Sequence, residues 1–392
     1  MIYLDNAATS FPKPEPVLRG MDAFARTSAA NPGRSGHRRA VEAEAMIDAT
    51  RLLLARLFGC PRPERVVFTL NATDALNMAI KGVLQPGDHV ITSVLEHNSI
   101  SRPLNQMEKE GTITLTRLPA DGSHLIDPDE VARAFTSKTR LVAVTHASNV
   151  TGTIQPVAAI GRIARERDAL LLADASQSAG IVPIDVEKDA IDLLAFTGHK
   201  ALLGPTGTGG LVVGERAVIA PWREGGTGGD SSSPVQPSEF PHRLEGGTPN
   251  VFGIAGLREG VKILLERGVA SILSHEREML ALFYNALKEP GRYSWYGADR
   301  VIAEKRGAGR VGLVGINLPG FAPAETAAIL DEQFDIAVRA GLHCAPYAHK
   351  HLGTFPQGTV RLSVGLLTTA DEMREAAAAF DEVAASAPLQ VC

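Results

Sequence analysis

Residues 170–200, LLLADASQSAGIVPIDVEKDAIDLLAFTGHK, carry the pattern that decides the fold class of this chain. The stretch opens with the apolar run Leu170–Asp174 and returns to a second run, Leu193–Thr197, just before Lys200. Strands that are apolar throughout are typical of a parallel sheet covered by helices on both faces. Asp174 and Lys200 lie 26 residues apart, enough for one crossover and one strand, so an acid and an amine can reach the same sheet edge.

The same alternation of apolar runs and helical stretches extends from about residue 35 to residue 250. Helical periodicity is clear in Ser35–Phe58, in the segment that Asn71 caps, in Pro128–Phe135 and in Val157–Asp168. Further strand candidates are Val66–Thr69, His89–Val94, Thr112–Leu118 and Leu141–His146. Strands joined by helices predict an α/β fold with a mostly parallel central sheet covered by helices.

The pattern changes after a Gly-, Ser- and Pro-rich stretch at residues 223–250, which we interpret as a long functional loop. Two helices, a pair of separated strands and two further helices follow it. They are predicted at Val251–Arg267, Ser271–Leu287, Val311–Leu318, Val360–Val364, Ala324–Gln333 and Ala370–Ala384. This mixture predicts a smaller α+β domain. We expect a large cofactor-binding α/β domain over 15–255, and a smaller domain built from 1–14 and 256–392.

Composition excludes several classes of protein. The chain has 392 residues, a formal net charge of −5, 44% hydrophobic residues and 21% charged residues. At roughly 100–200 residues per domain this length predicts two or three domains. The ordinary balance of apolar and charged residues excludes wholesale disorder. No excess of basic residues is present to bind a phosphate backbone, so we expect no nucleic-acid partner.

The three cysteines, Cys60, Cys344 and Cys392, cannot form a disulfide framework, and an odd number leaves at least one free thiol. A small, odd number of cysteines without a disulfide framework is typical of proteins in a reducing compartment. Asp5 stands where a secretory signal would carry positive charge, and the apolar runs fall far short of the roughly 18–20 residues that span a bilayer. We therefore expect a soluble, cytoplasmic protein without a membrane partner, and we assign no role to Cys60 or Cys392.

Polar side chains follow four of the predicted strands: His97, Asn149, Asp174 and Lys200. Ligands of doubly wound sheets bind at the carboxyl ends of strands. A positioned lysine that forms a Schiff base and an acid for a pyridinium nitrogen are what pyridoxal 5'-phosphate requires. Thr73, at the start of the Asn71-capped helix, is a candidate for holding the phosphate. Each residue alone also has a plain interpretation, since Asp174 suits a helix cap, His97 a surface histidine and Lys200 a solvated charge.

Nine motifs, in order along residues 2 to about 365, resemble the class V aminotransferase family, and in particular its cysteine desulfurases of the SUF-type branch. They are YLDNAATS, NATDALN, LEHNS, ASNVTG, ADASQSAG, FTGHKALLGPTGTGGL, EGGTPN, RAGLHCAP and VRLSVG. The resemblance implies a type I pyridoxal-phosphate fold, pyridoxal 5'-phosphate as cofactor, and a homodimer with active sites near the dimer interface. It also implies L-cysteine as substrate and a sulfur-acceptor protein as partner.

Carried over residue by residue, the resemblance implies a complete cofactor site. Lys200 would bind the cofactor aldehyde, Asp174 would pair with the ring nitrogen, and His97 would stack on the ring and assist proton transfer. Gln177 and Asn149 would lie near the ring oxygen, and Asn149 near the substrate as well. The phosphate would be held by Thr73, Thr197 and His199, with Thr248 reaching over from the second subunit.

Arg361 and Cys344 would complete the site on the substrate side. Arg361 would clamp the substrate carboxylate with two parallel hydrogen bonds, which lysine cannot copy. The Cys344 thiol would attack the sulfur of bound cysteine, so that alanine leaves and a persulfide remains on the enzyme. This requires a thiolate on an accessible, mobile loop, and Arg339 and His343 are expected to favour the thiolate. Arg361 follows Cys344 by 17 residues. A short segment here marks the SUF-type branch and favours an acceptor that comes to the site.

Other interpretations stay open at this stage. The segment after the cysteine departs from the usual pattern, and His343, Cys344, His349 and His351 could in principle ligate zinc. Zinc would quench the thiol and leave Arg361 unexplained, so we expect no metal. The GPTGTGG stretch lacks the ending of a P-loop, and no GxGxxG opens a helix after the first strand, which disfavours nucleotide enzymes. A selenocysteine lyase or other cysteine C–S lyase of the same fold, and a non-catalytic scaffold, remain as alternatives.

Overall fold

The computed structural model describes residues 1–33, 36–228, 232–297 and 309–386. Its largest element is a seven-stranded sheet with the order β2-β8-β7-β6-β5-β3-β4. The strands are β2 Val66–Thr69, β3 His89–Ser93, β4 Thr114–Leu118, β5 Thr139–Thr145, β6 Leu170–Asp174, β7 Leu193–Thr197 and β8 Gly209–Val213. All neighbours pair in parallel except those of β8, which is antiparallel to both β2 and β7. The predicted mostly parallel sheet is confirmed.

Helices cover the sheet and bury its apolar side chains. They are Glu15–Thr27, Arg38–Leu57, Ala72–Val83, Asn98–Lys109, Pro128–Arg133, Val157–Glu166 and Val251–Arg267. Side chains from β5, β6 and β7 are fully buried, which explains why these strands show no polar alternation. The helical prediction for 35–58 is correct in kind, although the predicted first residue, Ser35, lies outside the described residues and the helix runs Arg38–Leu57.

Strand β8 was not predicted, because its two leading glycines suggest a turn. The structure shows why glycine is needed there. A Cβ on Gly209 would lie 2.6 Å from Asn71 Cα, and one on Gly210 would lie 2.4 Å from a ring carbon of Phe196. Glycine in a strand often marks such a close approach. Helices Glu15–Thr27 and Asn98–Lys109 also went unpredicted.

The second lobe contains a four-stranded antiparallel sheet in the order β12-β13-β10-β9 and a two-stranded parallel pair, β1 and β11. The strands are β1 Ile2–Tyr3, β9 Ser294–Tyr296, β10 Leu313–Asn317, β11 Ile336–Ala337, β12 Arg339–Gly341 and β13 Thr359–Ser363. Helices of this part of the chain are Val269–Ala286, Pro323–Phe334, Pro346–His351 and Ala370–Ala385. A separate apolar core joins the sheet to these helices, with Phe283, Leu362 and Phe380 fully buried.

The amino-terminal segment lies between the two sheets. Asn6 N–H donates to the Ser363 carbonyl at 3.3 Å, and Ser10 N–H donates to the His199 carbonyl at 3.0 Å. The core of the large sheet also includes Leu264 and Ile272. The domain bounds 15–255, 1–14 and 256–392 remain a prediction. In the described part of the chain, no helix combines the length and apolar character needed to cross a bilayer.

Candidate active site

A cavity of about 300 Å³ lies at the carboxyl ends of the parallel strands, between the large sheet and the antiparallel sheet. Parallel strands bring their last residues to one edge, which is where ligands of such sheets bind. Nine of the residues predicted for the site line this cavity: Thr73, His97, Asn149, Asp174, Gln177, Thr197, His199, Lys200 and Arg361. Cys344 and Thr248 do not line it.

Lys200 follows β7 on the short turn Gly198-His199. This turn packs tightly, since a Cβ on Gly198 would lie 2.1 Å from Thr208 Oγ1. Burial is the main influence on the Lys200 amine and lowers its pKa to about 8, while the negative charge of Asp174 acts in the opposite direction. An amine that loses its proton this readily can act as a nucleophile near neutral pH.

Asp174, the last residue of β6, is buried. Its Oδ1 accepts a hydrogen bond from the Ser176 N–H at 2.9 Å, which orients the carboxylate. A second acid, Glu96, is fully buried near Asp174, and its Oε1 accepts a hydrogen bond from Ser93. Burial raises the pKa of Glu96 to about 8, and the nearby Asp174 charge adds to this effect. Our sequence interpretation missed Glu96, although it directly precedes His97.

His97 caps the helix Asn98–Lys109. Its Nδ1 accepts from the Ser99 N–H at 3.1 Å and lies 2.9 Å from Ser99 Oγ, which in turn lies 2.7 Å from Thr73 Oγ1. Burial lowers the pKa of His97 to about 4, with the Asp174 charge opposing and the Lys200 charge reinforcing the effect. The imidazole is therefore neutral at pH 7, and because Nδ1 accepts from the Ser99 N–H, its one ring proton lies on Nε2.

The cavity suits a bound anion of the kind that pyridoxal phosphate carries. Thr197 Oγ1 and His199 Nδ1 are buried in its wall without a hydrogen-bond partner. Buried polar groups without partners are rare, and they mark places where a ligand supplies the missing bond. Thr73 lies in the first turn of the helix Ala72–Val83, where backbone N–H groups face outward. The residues present therefore fit the phosphate end of the implied cofactor.

Arg361, on β13, is among the largest fully buried side chains. Its Nη2 donates to Asp5 Oδ1 at 2.8 Å and its Nη1 donates to the Asn149 carbonyl at 3.2 Å, while its Nε is buried without a partner. These bonds use two of the five guanidinium N–H donors, so the Nε hydrogen and one hydrogen on each Nη remain for a substrate carboxylate. Asp5 was not among the predicted site residues, and it reaches Arg361 only because the amino-terminal segment lies beside β13.

Asn149 and Gln177 each use one amide hydrogen to bond the backbone. Asn149 Nδ2 donates to the His343 carbonyl at 2.6 Å, and Gln177 Nε2 donates to the Ala7 carbonyl at 3.0 Å. A primary amide carries two donor hydrogens, so one remains on each side chain. Both residues thus tie other segments to the cavity as well as lining it.

Cys344 is exposed, as predicted. It lines an open groove that shares Thr73, His97 and Ser99 with the inner cavity. Arg339 Nη2 lies 3.8 Å from its Sγ, so a thiolate there is next to a positive charge. The sequence predicts that Cys344 lies on a mobile loop. In the structure its backbone is joined to the helix Asn98–Lys109, because Asn98 N–H donates to the Cys344 carbonyl at 2.7 Å.

The expectation that His343 favours the thiolate is wrong. Its ring is buried, with Nε2 3.1 Å from the Thr359 carbonyl. Burial, followed by the charge of Arg361, lowers the pKa of His343 far below its ordinary value. A neutral imidazole adds no positive charge beside Sγ, and the cation that lies there is Arg339.

The four residues considered as zinc ligands do not form a metal site. Among the residues described, no group of three or more His, Cys, Asp or Glu side chains is arranged to hold a metal ion. His349 Nδ1 lies 2.7 Å from Thr354 Oγ1, and the ring of His351 packs edge-on against His124.

Thr248 lines a different cavity of about 380 Å³, together with Arg51 and Glu245. Glu245 accepts hydrogen bonds from Arg51 Nη1 at 2.8 Å and from the Phe68 N–H at 2.7 Å, which anchors the end of the long loop. Within one chain Thr248 is therefore apart from the inner cavity. Its role in a second subunit remains a prediction.

The chain belongs to the class V aminotransferase family, whose model matches residues 2–375. It is 34% identical to a protein named probable cysteine desulfurase from Methanothermobacter thermautotrophicus, with 98% of this chain and 94% of that protein covered. It is 31% identical to the cysteine desulfurase CsdA of Escherichia coli, over 95% and 91% of the two chains. The apo structure of a cysteine desulfurase from Thermococcus onnurineus superposes on this chain with a TM-score of 0.90 at 33% identity. The match covers 98% of this chain and 94% of that chain.

Proposed function

We propose that this protein is a pyridoxal-phosphate-dependent cysteine desulfurase, which converts L-cysteine to L-alanine and keeps the sulfur as a persulfide on Cys344. The observation that carries the proposal is the placement of this exposed thiol. Cys344 lines a groove that adjoins the cavity of Lys200 and Arg361, and the two share Thr73, His97 and Ser99. The desulfurases that share the fold and about a third of the sequence support it.

The residues that would hold the cofactor are those of the inner cavity. Lys200 would join its aldehyde, Asp174 would pair with the ring nitrogen, and Asn149 and Gln177 would lie near the ring oxygen. Thr73, Thr197 and His199 would bind the phosphate, with Thr248 of a second subunit completing it. When bound, the cofactor withdraws electrons from the substrate carbons and so stabilises negative charge on them.

Each residue on the substrate side then has one task. Arg361 holds the carboxylate through its remaining N–H donors, and the Lys200 amine moves a proton at the substrate Cα. The neutral His97 would lie against the cofactor ring and would hold or release a proton at Nε2. The Cys344 thiolate, beside Arg339, attacks the substrate sulfur. The bond between the substrate Cβ and its sulfur breaks, and its electron pair stays on the carbon, which takes up a proton to become the methyl group of alanine. Alanine leaves, and Cys344 keeps the sulfur as a persulfide.

The remaining expectations belong to this proposal. The short segment between Cys344 and Arg361 is the feature that favours the SUF-type branch. The active form would be a homodimer, acting in the cytoplasm and passing sulfur to an acceptor protein. The alternatives, a selenocysteine or other cysteine C–S lyase and a non-catalytic scaffold, differ from it in what Cys344 and Lys200 do.

The test is mass spectrometry of the Cys344 peptide after exposure to L-cysteine, with alanine measured in parallel. We expect one added sulfur on Cys344 and one alanine per site. Cys344→Ser should lower alanine formation about 100-fold or more, since it removes a reacting group. Cys60→Ser is the control, because the Cys60 thiol lies apart from the cavity and donates to the Arg62 carbonyl at 3.3 Å.

Two outcomes would contradict the proposal. Alanine formation by Cys344→Ser at the wild-type rate would favour a lyase that does not use the thiol. A purified protein that stays colourless after addition of pyridoxal phosphate would favour the scaffold.

A further inference from the structure

The groove that ends at Cys344 is larger than the inner cavity. Its volume is about 740 Å³, against about 300 Å³ for the cavity that would hold the cofactor and the cysteine. Most of its wall is the helix Asn98–Lys109. The groove therefore has room for a second reactant that approaches Cys344 from the surface.

The wall of this groove is positively charged. Arg102 and Lys109 both line it and are exposed, and no Asp or Glu is among the described residues that line it. The two cations are seven residues apart, which is two helical turns, so they lie on one face about 10 Å apart along the axis. In the described part of the chain neither forms an ion pair with a carboxylate.

Cys344 is held in place at the end of this groove. Cys344 and the preceding His343 both have left-handed backbone angles, with φ of 58° at Cys344 and 47° at His343. The Cys344 carbonyl is bonded by Asn98 N–H at 2.7 Å. The helix that follows it is joined to the groove wall, because Asn105 Nδ2 donates to the Tyr347 hydroxyl at 3.1 Å. These bonds tie the Cys344 turn to the wall of the groove, so an acceptor that enters the groove reaches the sulfur there.

We propose that the groove binds an acidic, thiol-bearing segment of a sulfur-acceptor protein, whose carboxylates pair with Arg102 and Lys109. An extended chain advances about 3.3 Å per residue, so two acids three or four residues apart span the distance between the two cations. This inference rests on the proposed function, since it concerns the second half of that reaction.

The transfer itself needs no further reagent. The acceptor thiolate attacks the outer sulfur of the Cys344 persulfide, and a new sulfur–sulfur bond forms on the acceptor. The bond between Sγ and the outer sulfur breaks, and its electron pair returns to Sγ as a thiolate beside Arg339. The proton on the outer sulfur moves with it, so the acceptor leaves as a persulfide.

The test loads the holoenzyme with L-cysteine, removes the free amino acid, and adds synthetic peptides that each contain one cysteine. One peptide carries aspartates, one carries lysines at the same positions, and one carries asparagines. We expect sulfur to reach the acidic peptide about tenfold faster than the basic one at low salt. The difference should vanish near 1 M NaCl, where the Debye length is only about 3 Å.

The double variant Arg102→Glu/Lys109→Glu should reverse the preference of the enzyme for the acidic peptide. Lys138→Glu/Lys288→Glu is the matched control, since it changes net charge equally at exposed lysines outside the groove. It should keep the wild-type preference. All three proteins should form the first alanine equally fast.

The outcomes separate this inference from the proposed function. A wild-type protein that never loads sulfur on Cys344 overturns the proposed function and this inference with it. A protein that loads sulfur but transfers it equally to all three peptides, or to a small neutral thiol as fast as to the acidic peptide, overturns the inference alone.

Discussion

At Lys200, burial and charge act on one amine in opposite directions. Burial lowers its pKa, and the Asp174 and Asp5 carboxylates partly restore it, while Arg361 and Arg339 lower it further. The balance favours the neutral amine at a pH where a solvated lysine would stay protonated. The same cavity keeps His97 neutral. A buried lysine with a pKa of about 8, beside a neutral histidine, can give and take protons at a substrate carbon near neutral pH.

The first prediction concerns the pH dependence of cofactor binding. Only the neutral amine attacks an aldehyde, and the pKa of Lys200 is lowered to about 8. When pyridoxal phosphate is added to protein stripped of it, the rate at which the yellow colour develops should rise about tenfold per pH unit below pH 8 and level off above it. Stopped-flow absorbance measures this rate.

Lys200→Ala is the control, and it should stay colourless while its circular dichroism is unchanged. A rate that keeps rising to pH 10 would show that the amine is not desolvated as the structure indicates.

At the scale of elements, the turn that carries Cys344 depends on a close crossing of two chain segments. A Cβ on Gly358 would lie 2.1 Å from the Gly341 carbonyl oxygen, and Gly358 has φ +80°. Strands β12 and β13 begin their pairing here, with Gly341 opposite Thr359. The crossing brings the Thr359 carbonyl to His343, the residue before Cys344.

The second prediction is that Gly358→Ala displaces this turn. A methyl group cannot fit against the Gly341 backbone, so we expect a loss of about 3 kcal/mol in the free energy of unfolding. Persulfide formation on Cys344 should slow as well. Urea unfolding and the rate of Cys344 alkylation by iodoacetamide measure the two effects.

Gly353→Ala is a matched control, because Gly353 has φ +72° but no atom within 4 Å of its Cβ position. Gly353→Ala should lower the free energy of unfolding by only about 1 kcal/mol, which is the cost of placing alanine in the left-handed backbone region. Equal effects of the two substitutions would mean that the crossing does not position the turn.

At the scale of the whole molecule, the two lobes meet around a small cavity beside Lys200. Gln177 and Leu203 line it from one side, and Gly312 and Glu276 from the other. Glu276 is buried, and its Oε2 accepts a hydrogen bond from the Gly312 N–H at 3.0 Å. Burial raises the pKa of Glu276 to about 8, so it lies at the contact between the lobes as a neutral acid at pH 7.

The third prediction is a pH-dependent effect of Glu276→Gln on stability. Between pH 4.5 and about 8 the folded protein keeps the Glu276 proton that the unfolded chain has lost. The wild type therefore loses stability across this range as pH rises, and the glutamine variant is spared that loss. From pH 5 to pH 8 the free energy of unfolding of the variant should rise by about 2–4 kcal/mol relative to the wild type.

Urea unfolding at the two pH values measures this change. The exposed position Glu278, on the same helix, provides the control substitution Glu278→Gln. The free energy of unfolding of Glu278→Gln should differ from that of the wild type by the same amount at both pH values. If the free energy of unfolding of Glu276→Gln also differed from the wild type by the same amount at both pH values, Glu276 would be charged in the folded protein.

The sequence by itself determined the sheet, most of its strands and helices, and nine residues of the inner cavity. Apolar periodicity is local, which revealed the elements, and the ends of parallel strands must meet at one edge, which predicted Thr73, His97, Asn149, Asp174 and Lys200 there. Gln177, Thr197, His199 and Arg361 came from the resemblance to class V aminotransferases. Tertiary structure alone decided the rest. Asp5 pairs with Arg361 from the far end of the chain, Glu96 becomes a buried acid near Asp174, and His343 is neutral. These depend on burial and on contacts between distant segments, which no local pattern of residues records.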